Sequence, residues 1–144
     1  MSGGLILKPI RVALAETIGS VGVNAYWCEV ESPEPPSVTV VPDPGEKYID
    51  YWGTFGPDGQ ADVMLQPRIQ LAGQDGPAIA EQLDRLLSAG QNAQQSIIDA
   101  IVANRTLGGL VDDCIPLYAT VNDELLGPAT VAVRVIVHKI DAEA

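Results

Sequence analysis

The residues with the clearest potential for chemistry are two adjacent carboxylates, Asp112 and Asp113, which follow the glycines Gly108 and Gly109. Loop carboxylates are oxygen ligands of the kind that Mg²⁺ and Ca²⁺ prefer. The surrounding residues lack the Asp-x-Asp-x-Asp-Gly spacing of a calcium loop, and acidic residues are common in turns. We therefore interpret the pair as part of a turn and expect no metal and no other cofactor.

Nucleophilic catalysis would have to use the single histidine, His138, together with a serine or with Cys28 or Cys114. The sequence contains no Gly-x-Ser-x-Gly elbow, no Walker A loop and no Gly-x-Gly-x-x-Gly loop. His138 lies in a strand pattern, where a histidine is more often structural or solvent-facing. The cysteines have no metal-binding spacing; we expect free, half-buried thiols, with a disulfide as the alternative. We predict no catalytic residues.

Composition limits the class of protein and its partners. The 144 residues suit one domain, residues 1–144, with 47% apolar residues and a net charge of −11. This charge argues against binding to nucleic-acid phosphates and to anionic membranes, but it permits a surface past which DNA slides. No apolar run approaches the ~18 residues of a membrane span, and residues 5–7 are too short for a signal peptide. We expect a soluble intracellular protein.

Periodicity predicts an α+β domain: a mainly antiparallel or mixed sheet of about four to five strands, with an N-terminal helix and a central helix pair on one face. The first helix should cover residues 5–18. The central pair should cover residues 77–89 and a second helix capped by Asn92 and Gln95. A single long helix through Gly90 is the alternative. The extended segments are residues 21–30, 37–41, 62–71, 115–121 and 130–140.

The strand at 62–71 alternates most clearly, and Pro67 in its middle predicts an edge strand or a bulge. An edge strand can receive a strand from another subunit, so Arg68 on its polar face is a candidate contact residue. Arg134 and His138 should face outward from the last strand. In the strand at 115–121 we expect alternate residues to share one face: Ile115, Leu117, Ala119 and Val121.

Residues 43–60 form a long loop or a loosely paired hairpin that concentrates the aromatic residues Tyr48, Tyr51, Trp52 and Phe55. These side chains could anchor a neighbouring subunit. They could equally fold back on their own sheet, and both interpretations stay open. The candidate contact residues are therefore these four aromatics together with Arg68, Asp112 and Asp113.

Four segments carry a family resemblance: residues 35–40, the aromatic stretch 48–55, the strand 62–71 before Asp75 and Gly76, and residues 105–113, Arg-Thr-Leu-Gly-Gly-Leu-Val-Asp-Asp. The last segment is the most specific. With their order along the chain, they resemble the tail terminator proteins of actinobacteriophages with long, non-contractile tails. The resemblance covers most of the chain, although each segment is short.

The resemblance implies a structural protein of the virion with a small α+β fold. Such proteins form a ring, typically a homo-hexamer, on the head-proximal end of the tail tube. The ring ends tube polymerisation, contacts the tail tube protein, and offers a surface to the neck or head–tail connector proteins. DNA passes through its lumen without specific binding, and no catalysis or cofactor is implied. Another neck component, such as a head-completion or connector protein, is the alternative, and a small metal-dependent enzyme is the third hypothesis.

Overall fold

A computed structural model describes residues 7–42, 48–52, 60–71, 76–90, 96–121 and 129–138. Within these ranges the chain forms three helices and six strands, so the predicted α+β class is confirmed, with more strands than the four to five expected. In chain order the elements are α1 (Leu7–Gly19), β1 (Asn24–Tyr26), β2 (Ser37–Pro42), β3 (Ile49–Trp52), β4 (Gln60–Gln70), α2 (Gly76–Leu87), α3 (Ile97–Ala103), β5 (Asp113–Val121) and β6 (Ala129–His138).

The strands form one mixed sheet in the order β1-β2-β4-β6-β5, with β3 also paired to β4. The β1–β2 pair is parallel and the other described pairs are antiparallel. Strand β2 pairs with residues 65–70 of β4, and β3 pairs with residues 60–63. Strand β6 occupies the opposite edge of β4. The expectation that residues 62–71 form an edge strand is therefore wrong, because β4 lies in the interior of the sheet.

The sheet accommodates Pro67 by interrupting one hydrogen-bond ladder. Pro67 pairs with Val40 on the β2 side. On the β6 side the pairs stop at Leu65 and resume at Arg68. Proline has no N–H to donate, so the sheet forgoes bonds at this level while the strand keeps its interior position.

Strand β5 has a bulge at the same level, between Pro116 and Tyr118. The extra residue reverses the alternation of side chains along the strand. Ile115 lies opposite Arg134, whereas Ala119 lies opposite Val131, so the two β5 residues belong to opposite faces. The expectation of one common face for Ile115, Leu117, Ala119 and Val121 is wrong for this reason.

The core lies between the sheet and the helices. Helix α1 contacts β1, β2 and α3, and α3 contacts α2 and β5. Fully burying an aliphatic side chain contributes about 1.5–3 kcal/mol, so this layer holds the fold together. Helix α1 contributes one apolar face to this layer, and β6 contributes alternate valines. The main buried residues are Ile10, Leu14, Ile18, Val38, Val40, Val63, Leu65, Ile69, Leu86, Ile97, Ile101, Val131, Val133, Val135 and Val137.

The central helical block is two helices, so the single-helix alternative is wrong. Helix α3 starts at Ile97, and its N-cap is Ser96. The expected cap residues Asn92 and Gln95 lie outside the described residues, and the helix begins after them. The buried Ser96 hydroxyl accepts the N–H groups of Ile98 and Asp99 and contacts the carbonyl oxygens of Leu86 and Ser88. This one side chain therefore ties the end of α2 to the start of α3.

Candidate functional site

A turn between α3 and β5 contains the sequence segment with the most specific resemblance. Leu107, Gly108 and Gly109 have φ values of 51°, 75° and 92°. Glycine adopts such angles freely, whereas leucine does so under strain. The Leu107 side chain is only 5% exposed, so its burial offsets that strain. The glycine pair is thus explained by backbone geometry, and the turn inserts an apolar residue into the core.

Side-chain hydrogen bonds hold the turn closed. The Gly108 N–H donates to Asn104 Oδ1 at 3.0 Å, and the Gly109 N–H donates to Thr106 Oγ1 at 3.2 Å. Asn104 Nδ2 also donates to Thr17 Oγ1 of α1 at 2.9 Å. The turn is therefore fixed to α1 as well as to α3, which makes it a rigid corner of the domain.

Asp113 completes this corner by pairing with Arg105. Arg105 Nε lies 2.8 Å from Asp113 Oδ1, and Nη2 lies 2.6 Å from Oδ2. The hydrogen bond from Arg105 holds the pKa of Asp113 below its ordinary value, and the same bond raises the pKa of Arg105. Asp112 is exposed, and its N–H donates to the Ile136 carbonyl at 3.0 Å. The structure thus places Asp113 in an ion pair within its own chain and Asp112 at an exposed position just before β5.

The described ranges contain no group of three or more His, Cys, Asp or Glu residues arranged to hold a metal ion. Cys28 is half-buried and Cys114 is buried, and both thiols are free, as predicted for the pair, although Cys114 is more deeply buried than expected. Burial raises the pKa of Cys114 to about 12. A thiol with this pKa is protonated at neutral pH, and the thiolate is the nucleophilic form, so Cys114 is a core residue.

The aromatic stretch is partly folded back on its own sheet. Strand β3 and the start of β4 form the two arms of a hairpin, which was one of the two expected arrangements. Tyr48 packs against the core, and its carbonyl accepts the Met64 N–H at 2.7 Å. Tyr51 and Trp52 belong to β3, and Phe55 lies outside the described residues. For Tyr48 the structure favours the fold-back interpretation; the contact role of the other three stays a prediction.

Arg68 lies on the sheet face that points away from the helices, which we call the outer face. Its Nη2 is 3.0 Å from Glu29 Oε2, in the connector between β1 and β2. Both side chains are largely exposed, so the pair contributes at most about 1 kcal/mol. Because β4 is an interior strand, Arg68 is not positioned for the lateral strand pairing that its sequence position suggested.

The outer face also contains an ion pair that the sequence pattern did not reveal. Arg134 Nε and Nη2 lie 2.9 and 2.6 Å from Oδ2 of Asp62, whose side chain is only 6% exposed. Arg134 occupies the outer face as predicted, but it is half-buried. The sequence does show opposite charges at outward positions of two strands. These charges could have predicted the ion pair only if β4 and β6 had been known to be neighbours.

The two edges of the sheet differ in shape. At one edge, Leu117 and Tyr118 of β5 are 44% and 60% exposed. We call these two residues the β5 knuckle. At the other edge a groove of about 400 Å³ lies between α1 and β1. We call it the β1 groove, and its mostly apolar lining includes Val12, Ala15, Ala25, Trp27 and Val30 together with the acidic residue Glu16.

Trp27 forms one wall of the β1 groove and contacts two cations of α1. Lys8 Nζ lies 5.1 Å and the Arg11 guanidinium 5.4 Å from its ring centroid. Arg11 Nη2 also donates to the Val40 carbonyl at 3.2 Å. Neither cation has a carboxylate within ion-pair distance among the described residues. Two cations therefore lie against Trp27, while the groove itself is lined by one acidic residue, Glu16.

None of the described helices combines the length with the apolar character that crossing a bilayer requires. No protein-family model matches this sequence, and a search of curated proteins finds no match. The geometry itself offers a rigid corner, an exposed apolar knuckle and an apolar groove. These are features through which a protein contacts other proteins.

Proposed function

We propose that this protein is a phage tail terminator: a structural virion protein that forms a ring on the head-proximal end of the tail tube. The ring ends polymerisation of the tube and presents the surface to which the neck and head attach. Its partners are other copies of itself, the tail tube protein and a connector protein. The proposed role requires no catalysis: the ring blocks the growing end of the tail tube and presents a binding surface to the neck.

The observation that carries this proposal is the segment 105–113. It is the most specific part of the resemblance to tail terminators, and in the structure it forms the rigid corner between α3 and β5. The structure accounts for several residues of the motif: Gly108 and Gly109 have left-handed φ angles, and Arg105 pairs with Asp113. A corner of this kind fixes the direction in which β5 leaves the helical layer, and so the position of the β5 knuckle.

Charge and surface features support the same proposal. A net charge of −11 suits a ring through which DNA passes, because like charges keep the duplex from binding the wall. Exposed Leu117 and Tyr118 suit a chain that buries them against a protein partner. Apolar surface at opposite edges of one sheet is what a subunit with two lateral neighbours would need.

The test is tube-length control during assembly. Purified protein added to polymerising tail tubes should cap one end and fix the length distribution, and electron microscopy would show a ring at that end. Removing the gene should give abnormally long tubes. Tubes of normal length, accompanied by unattached heads, would instead identify a head–tail connector. Continued growth in the presence of excess protein would refute the terminator assignment.

A further inference from the structure

We propose that Arg11 closes an open edge of the sheet: its guanidinium occupies the Val40 carbonyl to which a strand from a second copy would otherwise bind. Pro42, two residues further along β2, withholds the next donor. The device is a contact within the chain that prevents edge-to-edge pairing of two copies. It goes beyond the proposed function and does not depend on it, because it concerns an association that the fold excludes.

The open edge belongs to β2. Strand β2 has six residues, whereas its parallel neighbour β1 has three. Their pairing ends at Tyr26 and Thr39. Among the described residues no other strand lies on this side of β2, so residues 40–42 have no strand beside them there. An unpaired strand edge is a template for pairing with another chain.

The Val40 carbonyl points toward this open edge. The Asn24 N–H donates to the Pro36 carbonyl at 3.0 Å, so the Pro36 carbonyl faces β1. Backbone groups alternate in direction along a strand, and every second carbonyl therefore faces the same side. Val40 lies four residues after Pro36. Its carbonyl therefore faces the β1 side, at a level that the β1 pairing does not reach.

Arg11 takes the place of the missing strand donor. A longer β1 would give the Val40 carbonyl to the N–H of Cys28; instead, Arg11 Nη2 donates to it at 3.2 Å. The guanidinium lies 5.4 Å from the centroid of the Trp27 ring, which holds it against the edge. Arg11 Nε is buried and has no hydrogen-bond partner, which is destabilising. The arginine is therefore held at this edge despite an unfavourable position for Nε.

Pro42 obstructs the same edge in a second way. By the same alternation, Pro42 is the next residue of β2 whose backbone faces the open side. Proline has no N–H, and prolines on edge strands discourage pairing. An approaching strand therefore finds the acceptor at Val40 occupied and the donor at residue 42 absent. Both obstacles belong to single side chains, so substitution can remove them separately.

The experiment uses the full chain and compares Arg11→Met, Pro42→Thr and the double variant with the wild type. Methionine keeps an unbranched stem but cannot donate, and threonine restores the N–H at residue 42. Sedimentation velocity measures the concentration at which association proceeds beyond the wild-type species, and the amide I infrared band reports intermolecular strands. In the double variant this concentration should be at least about tenfold lower than in either single variant, as two added hydrogen bonds per contact would give.

The matched control is Lys8→Met combined with Pro42→Thr. Lys8 has the same charge as Arg11 and contacts the same Trp27 ring, at 5.1 Å from its centroid. This control should associate as Pro42→Thr alone does, because the contact between Arg11 and Val40 is intact. Equal association of the two double variants would show that lost charge or an uncovered Trp27 drives association, and it would overturn the proposal.

Association must come from folded protein, which circular dichroism and thermal unfolding check for every variant. Arg11→Leu is the second arginine variant if Arg11→Met does not fold. Loss of the fold in both would show that Arg11 supports the core rather than closes the edge, and it would overturn the inference. So would a double variant that associates no more than Pro42→Thr alone. Tube capping is not a readout here, so the terminator proposal stands or fails separately.

Discussion

At the scale of single residues, side-chain burial was more predictable than side-chain partnership. The buried valines of β6 follow the alternation of its sequence, because one face of a sheet must cover the core. The same alternation placed Arg134 on the outer face. Alternation could not identify Asp62 as the partner of Arg134. The two residues lie 72 positions apart in sequence, and only the pairing of β4 with β6 brings them together. Polar partners depend on topology, whereas burial depends on local pattern.

The Asp62–Arg134 pair should be important for stability. Replacing Arg134 by methionine removes the arginine from a nearly buried carboxylate, and we expect a loss of about 2–3 kcal/mol. This is below the ~3–5 kcal/mol of a fully buried pair, because Arg134 is partly exposed. Urea denaturation measures this loss. Arg68→Met, which breaks the exposed pair with Glu29, is the control and should cost under about 1 kcal/mol. Equal losses in the two variants would contradict the expectation.

The Arg105–Asp113 pair should make stability depend on pH in the acid range. The pKa of Asp113 is held below its ordinary 3.8, so the folded state favours the ionised carboxylate. The contribution is therefore present above about pH 4 and is lost as the pH falls through the lowered pKa. We expect the difference in unfolding free energy between the wild type and Asp113→Asn to shrink with acidification. A difference that stays constant as the pH falls would refute the linkage.

At the scale of elements, helices and strands were predicted correctly where a single hydrophobic periodicity runs through the segment. The predictions failed where a proline or an inserted residue interrupts that periodicity. The helix α1 and the separation of α2 from α3 followed from apolar spacing and from Gly90. Strand β4 was correctly recognised but placed at an edge, because a proline inside a strand usually signals one. The β5 bulge was missed because a one-residue insertion leaves no compositional mark.

The turn at residues 104–113 should respond to substitution in an unusual order. At most positions glycine is less stabilising than alanine by about 0.5–1 kcal/mol. Leu107 has a φ of 51°, where a Cβ atom is strained. We therefore expect Leu107→Gly to be more stable than Leu107→Ala by about 1 kcal/mol, although both lose the buried side chain. Denaturant titration of the two variants measures the difference; the usual order would show that the turn relaxes when the side chain is removed.

At the scale of the whole molecule, the two thiols should differ in reactivity because they are buried to different extents. Cys28 is half-buried beside the β1 groove, whereas Cys114 lies in the core with a pKa of about 12. In the native protein a chromogenic disulfide reagent should modify Cys28 readily, and Cys114 only as fast as the domain opens globally. The Cys28→Ser variant isolates the slow thiol, and the Cys114→Ala variant isolates the fast one. Rapid labelling of Cys114 under native conditions would contradict the packing described.

The function of the whole molecule was the least accessible from residue chemistry. Composition and motif searches led to an acidic α+β domain without a predicted catalytic set, and the tail-terminator hypothesis came only from the resemblance of the segment 105–113 and its neighbours. The β5 knuckle and the β1 groove were not predictable, because the knuckle depends on a bulge and the groove depends on how α1 packs on β1. The earlier candidates Tyr48 and Asp113 are occupied within their own chain.

The interruption at Pro67 and the bulge in β5 lie at nearly the same level of the sheet. Both lie at the level of Val131 and Ala132, on either side of β6. Fewer inter-strand hydrogen bonds form at this level, and a bulge bends its strand, so we expect the sheet to bend here. On one side, β1 and residues 37–39, 68–70, 129–131 and 119–121 form a continuous strip that joins the groove edge to the knuckle edge. On the other side lies the hairpin of β3. A bend along this line would change the angle between the two parts of the sheet and leave the pairs within each part intact.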